Sequence, residues 1–190
     1  MRFTPSQVCN PAHLTFGGGA VGLASQLFCL SKIPELIDTL FIVLKGKRPI
    51  FLHWYHHITV LLYCWNSYVT ESAAGIYFIA MNYTVHAVMY FYFFMQAIKC
   101  VPKWFPSFLI TIMQISQMFI GMYIVGLTIY YNQYGGKKYL AGKCNNQDST
   151  LVCGFIMYFS YFYLFVEFAV KKFIFGQEET AAVKPKKKAA

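Results

Sequence analysis

Apolar residues run along this chain in long blocks separated by short polar interruptions. A helix needs roughly 20 mostly apolar residues to cross a hydrocarbon core about 30 Å thick. The blocks 50–69, 73–98, 104–131 and 151–175 meet that length. A fifth block, 17–44, opens on Gly17, Gly18 and Gly19 and is interrupted by Lys32, Pro34, Glu35 and Asp38. Pro34 lacks a backbone donor, so the fifth helix is predicted to bend or break there. The pattern predicts an all-α, multi-pass transmembrane bundle of about five spans. Turns are predicted at 45–49, 71–72 and 99–103, with one substantial loop at 132–150. Residues 1–176 then form the membrane domain, and 177–190 a disordered basic cytosolic tail.

Composition supports the same class. A length of 190 residues fits one soluble domain. Yet 57% of the residues are hydrophobic, 19% aromatic and only 12% charged, where soluble domains carry about 25% charged residues. A disordered tail protein, a disulfide-dense secreted module and a nucleic-acid binder all fit poorly. The net charge of +9 comes from bases placed between the apolar blocks.

Those bases set an orientation. With the C-terminal tail in the cytosol, the cytosolic side holds Lys45, Lys47, Arg48, Lys99, Lys103, Lys171, Lys172, Lys184, Lys186, Lys187 and Lys188. The other side holds Arg2, Lys137, Lys138 and Lys143, as the positive-inside rule favours. The N-terminus then faces the lumen or exterior. Residues 1–12 show no charged segment leading into an apolar signal core. Either an internal helix serves as the insertion signal or further helices lie upstream.

The cysteines sort by this topology. Cys29, Cys64 and Cys153 lie in apolar blocks and Cys100 at a cytosolic edge, which leaves Cys9 and Cys144 on the side where disulfides form. A Cys9–Cys144 bridge and a pair of free thiols are both compatible with that. In the tail, Lys187 and Lys188 stand third and fourth from the end. That spacing resembles a dilysine retrieval signal for the endoplasmic reticulum, and a solvated basic tail near anionic headgroups is the plainer alternative.

Ionisable residues within a bilayer are costly and mark function by default. His53, His56 and His57 have i, i+3, i+4 spacing and project from one helix face. His86 lies on the next helix, with Asn82 one turn before it and Tyr90 one turn after. Thr111, Gln114 and Gln117 form a third polar stripe, and Lys32, Glu35 and Asp38 a fourth. Any one such histidine is more often a hydrogen-bonded structural residue. Together they call for a polar interior cavity that repays their desolvation. A pocket apolar along its length, with histidines at one depth, suits a long acyl chain with a reactive end. The aromatic run 90–94 and the Phe/Tyr-rich last helix read as packing and interface residues.

Two chemistries suit the cluster. Histidines at i and i+4 can ligate a metal. Neutral imidazole, with an unperturbed pKa of about 6.5, can instead act as a nucleophile toward a thioester or as a general base.

The motifs resemble one family closely. Lys32, Glu35, Asp38 and Thr39 match its K-x-x-E-L-x-D-T, and His53-Trp54-Tyr55-His56-His57 its H-x-x-H-H box. Asn82, His86, Met89 and Tyr90 match N-x-x-x-H-x-x-M-Y, and Thr111, Gln114 and Gln117 match T-x-x-Q-x-x-Q. This is the very-long-chain fatty acid elongase family, and the resemblance covers residues 31–117. The form His53-Trp54-Tyr55-His56-His57 looks most like the branch handling saturated and monounsaturated long chains. Phe93 departs from many relatives, which carry a second Tyr there.

The resemblance implies a membrane enzyme of the endoplasmic reticulum that condenses long-chain acyl-CoA with malonyl-CoA. It implies a ping-pong route with no metal or other cofactor. Carried over, His56 takes the acyl group as an acyl-imidazole, while His53, His57 and His86 orient it, move protons and stabilise negative charge. Asn82, Tyr90, Gln114 and Gln117 are implied substrate-binding residues. Lys32, Glu35 and Asp38 either bind substrate or brace their helix by buried pairing. Trp54 and the bulky residues of 155–165 are candidate gauges of acyl length.

Membrane lipid, the reductases and dehydratase of the elongation cycle, and homo- or hetero-oligomers are the implied partners, with no nucleic acid. The family has seven spans, and this chain matches the last five. Six of the seven normally surround the tunnel, so a missing wall would open it to lipid. Two other readings stay open. One is a truncated, non-catalytic partner of the elongation complex. The other is a metal-dependent lipid oxidase, for which five histidines are too few ligands to hold two irons in the manner of the desaturases.

Overall fold

The computed structural model describes residues 8–11, 13, 17–102, 105–135, 144 and 146–175. The described residues form five long helices and no strand. They are α1 (Gly19–Leu44), α2 (Phe51–Val69), α3 (Gly75–Ala97), α4 (Ser107–Tyr130) and α5 (Asp148–Ala169). Single π-helical turns, Tyr131–Gly135 and Val170–Ile174, extend α4 and α5. The predicted tail, with Lys187 and Lys188, lies outside the described residues.

Chain chemistry explains the boundaries. Pro106, which has no N–H to leave unpaired, caps the start of α4. Behind α1, Lys47 N–H bonds the Ile42 carbonyl and Gly46 N–H the Val43 carbonyl, with Gly46 at φ 71°. This is the paired C-terminal closure that a left-handed residue permits. Helices α2 and α3 end in the same way on Glu71 (φ 49°) and Lys99 (φ 58°), which take the left-handed position without glycine.

Of the bend or break expected in α1, the break does not occur. The helix runs unbroken through Pro34. Proline is tolerated within membrane-embedded helices because neighbouring groups re-satisfy the freed backbone.

The helices pack as a closed ring in the order α1, α2, α5, α4, α3 and back to α1, with α1 against α3 the thinnest seam. The main core lies among α3, α4 and α5, around Phe78, Met118, Ile124, Met157, Tyr158, Tyr161 and Phe165. Two glycines permit the closest approaches. A Cβ on Gly121 would stand 2.5 Å from Tyr158 Cε1, and one on Gly154 would run into the Tyr63 hydroxyl.

The outside is apolar. Leu23, Leu40, Leu62, Phe91, Phe119, Ile156 and Phe159 are all exposed, the reverse of a water-facing surface. The segments Gly75–Ala97, Ser107–Tyr134 and Asp148–Ile174 are long and apolar enough to cross a membrane. Helices α1 and α2 have the length, but they carry the ionisable motif residues that lower their hydropathy.

The bundle has two chemically different ends. One carries Lys45, Lys47, Arg48, Lys99, Lys171 and Lys172. The other carries the α2–α3 turn, where Cys9 and Cys144 are joined with a Cα–Cα distance of 4.4 Å.

Candidate active site

A cavity lies inside the ring and is lined by all five helices. Its α2 wall is the stripe His56, Val60, Tyr63, Cys64, Ser67 and Tyr68, and its α3 wall is Gly75, Phe78, Ile79 and Asn82. Both stripes follow the i, i+3, i+4, i+7 repeat of one helix face. Met118, Met157 and Tyr158 add to an apolar lining, while His56, Asn82 and Gln117 supply polar groups.

His56 is held from three sides. Its ring lies 4.7 Å from that of Tyr161, 5.7 Å from His57 and 6.3 Å from Phe165, between centroids. The Tyr161 hydroxyl is 2.5 Å from Thr59 Oγ1 and donates to the His56 carbonyl at 3.3 Å. His56 Nδ1 is buried and has no hydrogen-bond partner among the described residues. The His53 ring lies 4.6 Å from that of His57, and His53 does not line the cavity.

The α1 motif braces this wall. Lys32, only 2% exposed, donates from Nζ to Glu35 Oε1 at 2.6 Å and to Asn82 Oδ1 at 2.8 Å. Its ammonium also lies 4.2 Å from the Phe28 ring centroid. Glu35 Oε2 is 3.9 Å from His57 Nδ1. One lysine thus ties α1 to α3, and its carboxylate partner reaches toward α2. Further along the seam, Tyr90 donates to Asp38 Oδ2 at 2.9 Å.

The sequence-predicted residues therefore divide into two sets. His56, Asn82 and Gln117 line the cavity. Lys32, Glu35, His57 and His53 form a layer behind it. Asp38 and Tyr90 pair on the α1–α3 seam. His86 rests against Tyr90 at 5.8 Å, and Gln114 donates to Met89 Sδ at 3.6 Å, so neither lines the cavity. Thr111 donates to the Ser107 carbonyl of its own helix at 3.4 Å. Among the described residues, no three His, Cys, Asp or Glu side chains converge as metal ligands would.

Tyr161 was expected only as one of the bulky residues of 155–165 in an aromatic-rich helix, and not as a neighbour of His56. A usable signal was present. A buried tyrosine hydroxyl seeks a partner, and Met157, Tyr158, Tyr161 and Phe165 share one face of α5.

Comparisons with known proteins agree on kinship. The family model described as "ELO: GNS1/SUR4 family" matches residues 3–181. Fatty acid elongase 3 of Trypanosoma brucei brucei is 40% identical over 176 residues, 91% of this chain and 56% of that protein. Very long chain fatty acid elongase 6 of Drosophila melanogaster is 41% identical over 167 residues, 88% of this chain and 51% of that protein. Very long chain fatty acid elongase 6 of Gallus gallus is 45% identical over 148 residues, 77% and 53% of the two chains. The chain spans about half the length of these relatives. No solved structure matches it significantly.

Proposed function

This chain belongs to the ELO (GNS1/SUR4) family, and on that premise we propose that it condenses long-chain acyl-CoA with malonyl-CoA to give 3-oxoacyl-CoA, carbon dioxide and CoA. The observation that carries this reading is the cavity itself, which offers apolar walls for an acyl chain and His56, Asn82 and Gln117 near one end.

The proposed route has two half-reactions. An imidazole nitrogen of His56 attacks the thioester carbonyl. The C–S bond breaks, CoA leaves as the thiol and an acyl-imidazole remains. Malonyl-CoA then loses carbon dioxide, its enolate carbon attacks the held acyl carbon, and the C–N bond breaks as the departing imidazole takes up one proton from solvent. Dividing the condensation this way replaces one difficult step with two easier ones. Asn82 and Gln117 suit the negative charge that develops on oxygen. His53 and His57 adjoin His56 and suit proton movement, and His86 is proposed to assist from α3. No metal or cofactor is required.

His53, His56 and His57 lie within the first two turns of α2, directly after Lys45, Lys47 and Arg48. CoA phosphates are proposed to meet bases at that end while the acyl chain extends inward. Under this reading the basic end faces the cytosol, in the membrane of the endoplasmic reticulum.

Intact mass spectrometry after a single turnover tests the route. The expected result is one added acyl group, absent in His56→Ala and discharged by malonyl-CoA. Acyl-CoA binding with no adduct and no 3-oxoacyl product would favour a non-catalytic binding partner instead.

A further inference from the structure

The α2 wall of the cavity changes chemistry along its length. Beyond His56 it first presents Val60, then Tyr63, Cys64, Ser67 and Tyr68. An aliphatic stretch beside the histidine thus gives way to one that carries thiol and hydroxyl groups. Phe78, Ile79 and Met157 keep other parts of the lining apolar.

Ser67 stands apart from the other hydroxyl residues of α2. Serine and threonine within a helix can bond the carbonyl four residues back. Thr59 does so to the Tyr55 carbonyl at 2.6 Å, and Thr70 to the Asn66 carbonyl at 2.8 Å. The Ser67 hydroxyl has no hydrogen-bond partner among the described residues, although Ser67 is half-buried and lines the cavity. Ser72, at the α2–α3 turn, is already used, since its hydroxyl donates to Asn146 Oδ1 at 2.9 Å. A hydroxyl left against an apolar chain without a partner is costly. A chain that carries an oxygen at the same depth satisfies both groups at once.

We propose that Ser67 is a specificity residue for an oxygenated acyl chain, so that the cavity selects long-chain acyl-CoA with a hydroxyl deep along the chain. The proposal rests on the elongase reading above, with the thioester at His56. Ser67 follows His56 by eleven positions on one helix, about 16 Å at 1.5 Å per residue. An extended chain with bonds of about 1.5 Å and angles near 111° advances about 1.25 Å per carbon, which brings roughly carbon fourteen beside Ser67. By the same measure roughly carbon six lies beside Val60 and roughly carbon ten beside Cys64. The chain hydroxyl donates to Ser67 Oγ. Unsubstituted chains still bind, because Ser67 then turns its hydroxyl onto the Tyr63 carbonyl four residues back.

The test holds chain length fixed and moves the hydroxyl. Hexadecanoyl-CoA and its isomers hydroxylated on carbon six, ten or fourteen compete with a fluorescent acyl-CoA for the full chain in nanodiscs, so no turnover is needed. A hydroxyl on carbon six meets the aliphatic wall and is expected to weaken binding about tenfold relative to the unsubstituted chain. The carbon-fourteen isomer is expected to bind at least as tightly as the unsubstituted chain. Ser67→Ala is expected to weaken the carbon-fourteen isomer about fivefold relative to the unsubstituted chain. Cys64→Ser moves a hydroxyl one turn toward His56 and is expected to strengthen the carbon-ten isomer about fivefold. Equal affinity for all the isomers, or weakening by a hydroxyl at every position, overturns the proposal. So does a carbon-fourteen preference that persists in folded Ser67→Ala protein. The wild-type scan and Cys64→Ser decide the question if Ser67→Ala does not fold. Binding of no acyl-CoA, substituted or not, overturns the elongase reading and this proposal with it.

Discussion

Tyr161 covers the imidazole of His56, ring centroid to centroid 4.7 Å, and also hydrogen-bonds the His56 backbone carbonyl. Side chain and backbone of the proposed nucleophile are therefore held by one residue from α5. Tyr161→Phe keeps the ring contact but removes the bonds to Thr59 and to that carbonyl. Losing hydrogen bonds worth about 1 kcal/mol each is expected to slow single-turnover acylation roughly tenfold, with KM for acyl-CoA unchanged. Tyr161→Ala also opens a cavity and is expected to cost about 3–5 kcal/mol of stability. An unchanged acylation rate in Tyr161→Phe would reduce Tyr161 to a space-filling role.

Gly121 marks the closest approach of α4 and α5. Its Cβ would meet Tyr158 Cδ1 and Cε1 at 2.7 and 2.5 Å, and Tyr158 is itself buried. Moving the ring disturbs its contact with Phe78 at 5.2 Å, so Gly121→Ala is expected to cost about 1–3 kcal/mol by overpacking. Thermal unfolding in detergent measures this. Adding Tyr158→Leu should return part of the loss, and a Gly121→Ala protein as stable as wild type would show that the helices separate freely there.

The site was legible where periodicity alone places residues. Histidines at i, i+3 and i+4 must share a face, and Asn82 and Gln117 stand where polar side chains in apolar helices need an interior. The all-α architecture followed from block length in the same way. Partners across the fold were not legible. Lys32 meets Asn82 across 50 residues of sequence, and no spacing rule links α1 to α3. Tyr161 was hidden because its neighbours Phe159, Phe162 and Tyr163 share its aromatic character while facing different ways. A break at Pro34 was over-read, since a rule drawn from water-exposed helices charges fully for a missing donor.

The Cys9–Cys144 bridge closes a loop of 135 residues. Cross-links of such span stabilise by roughly 2–4 kcal/mol, mainly through the unfolded chain. Cys9→Ser is expected to lower the unfolding midpoint while helical content holds, because the five helices keep their mutual contacts. Reducing agent should produce the same shift in the wild type and none in the variant. A wild type insensitive to reductant, with reduction verified by thiol labelling, would show that the segments around Cys9 and Cys144 are held by their noncovalent contacts.

Lys32, Glu35 and Asn82 make a polar arrangement that is costly to bury. Lys32 is buried, and its ammonium is answered by one carboxylate, one amide oxygen and one aromatic face. Removing one member of a buried ion pair leaves the other uncompensated, typically at about 3–5 kcal/mol. Lys32→Met is therefore expected to destabilise strongly, because Glu35 then loses its buried cationic partner. Glu35→Gln retains an acceptor for the ammonium and should cost less. The double variant Lys32→Met/Glu35→Gln removes both charges and should be more stable than Lys32→Met alone, although it still lacks the tie to Asn82. Asn82→Ala separates bracing from chemistry. It removes one acceptor of Lys32 and one polar group of the cavity together, so both stability and acylation should fall. Lys32→Met/Glu35→Gln, which leaves Asn82 in place, should retain more acylation per folded molecule than Asn82→Ala. The reverse ranking would move the α1 motif from bracing into the chemistry of the site.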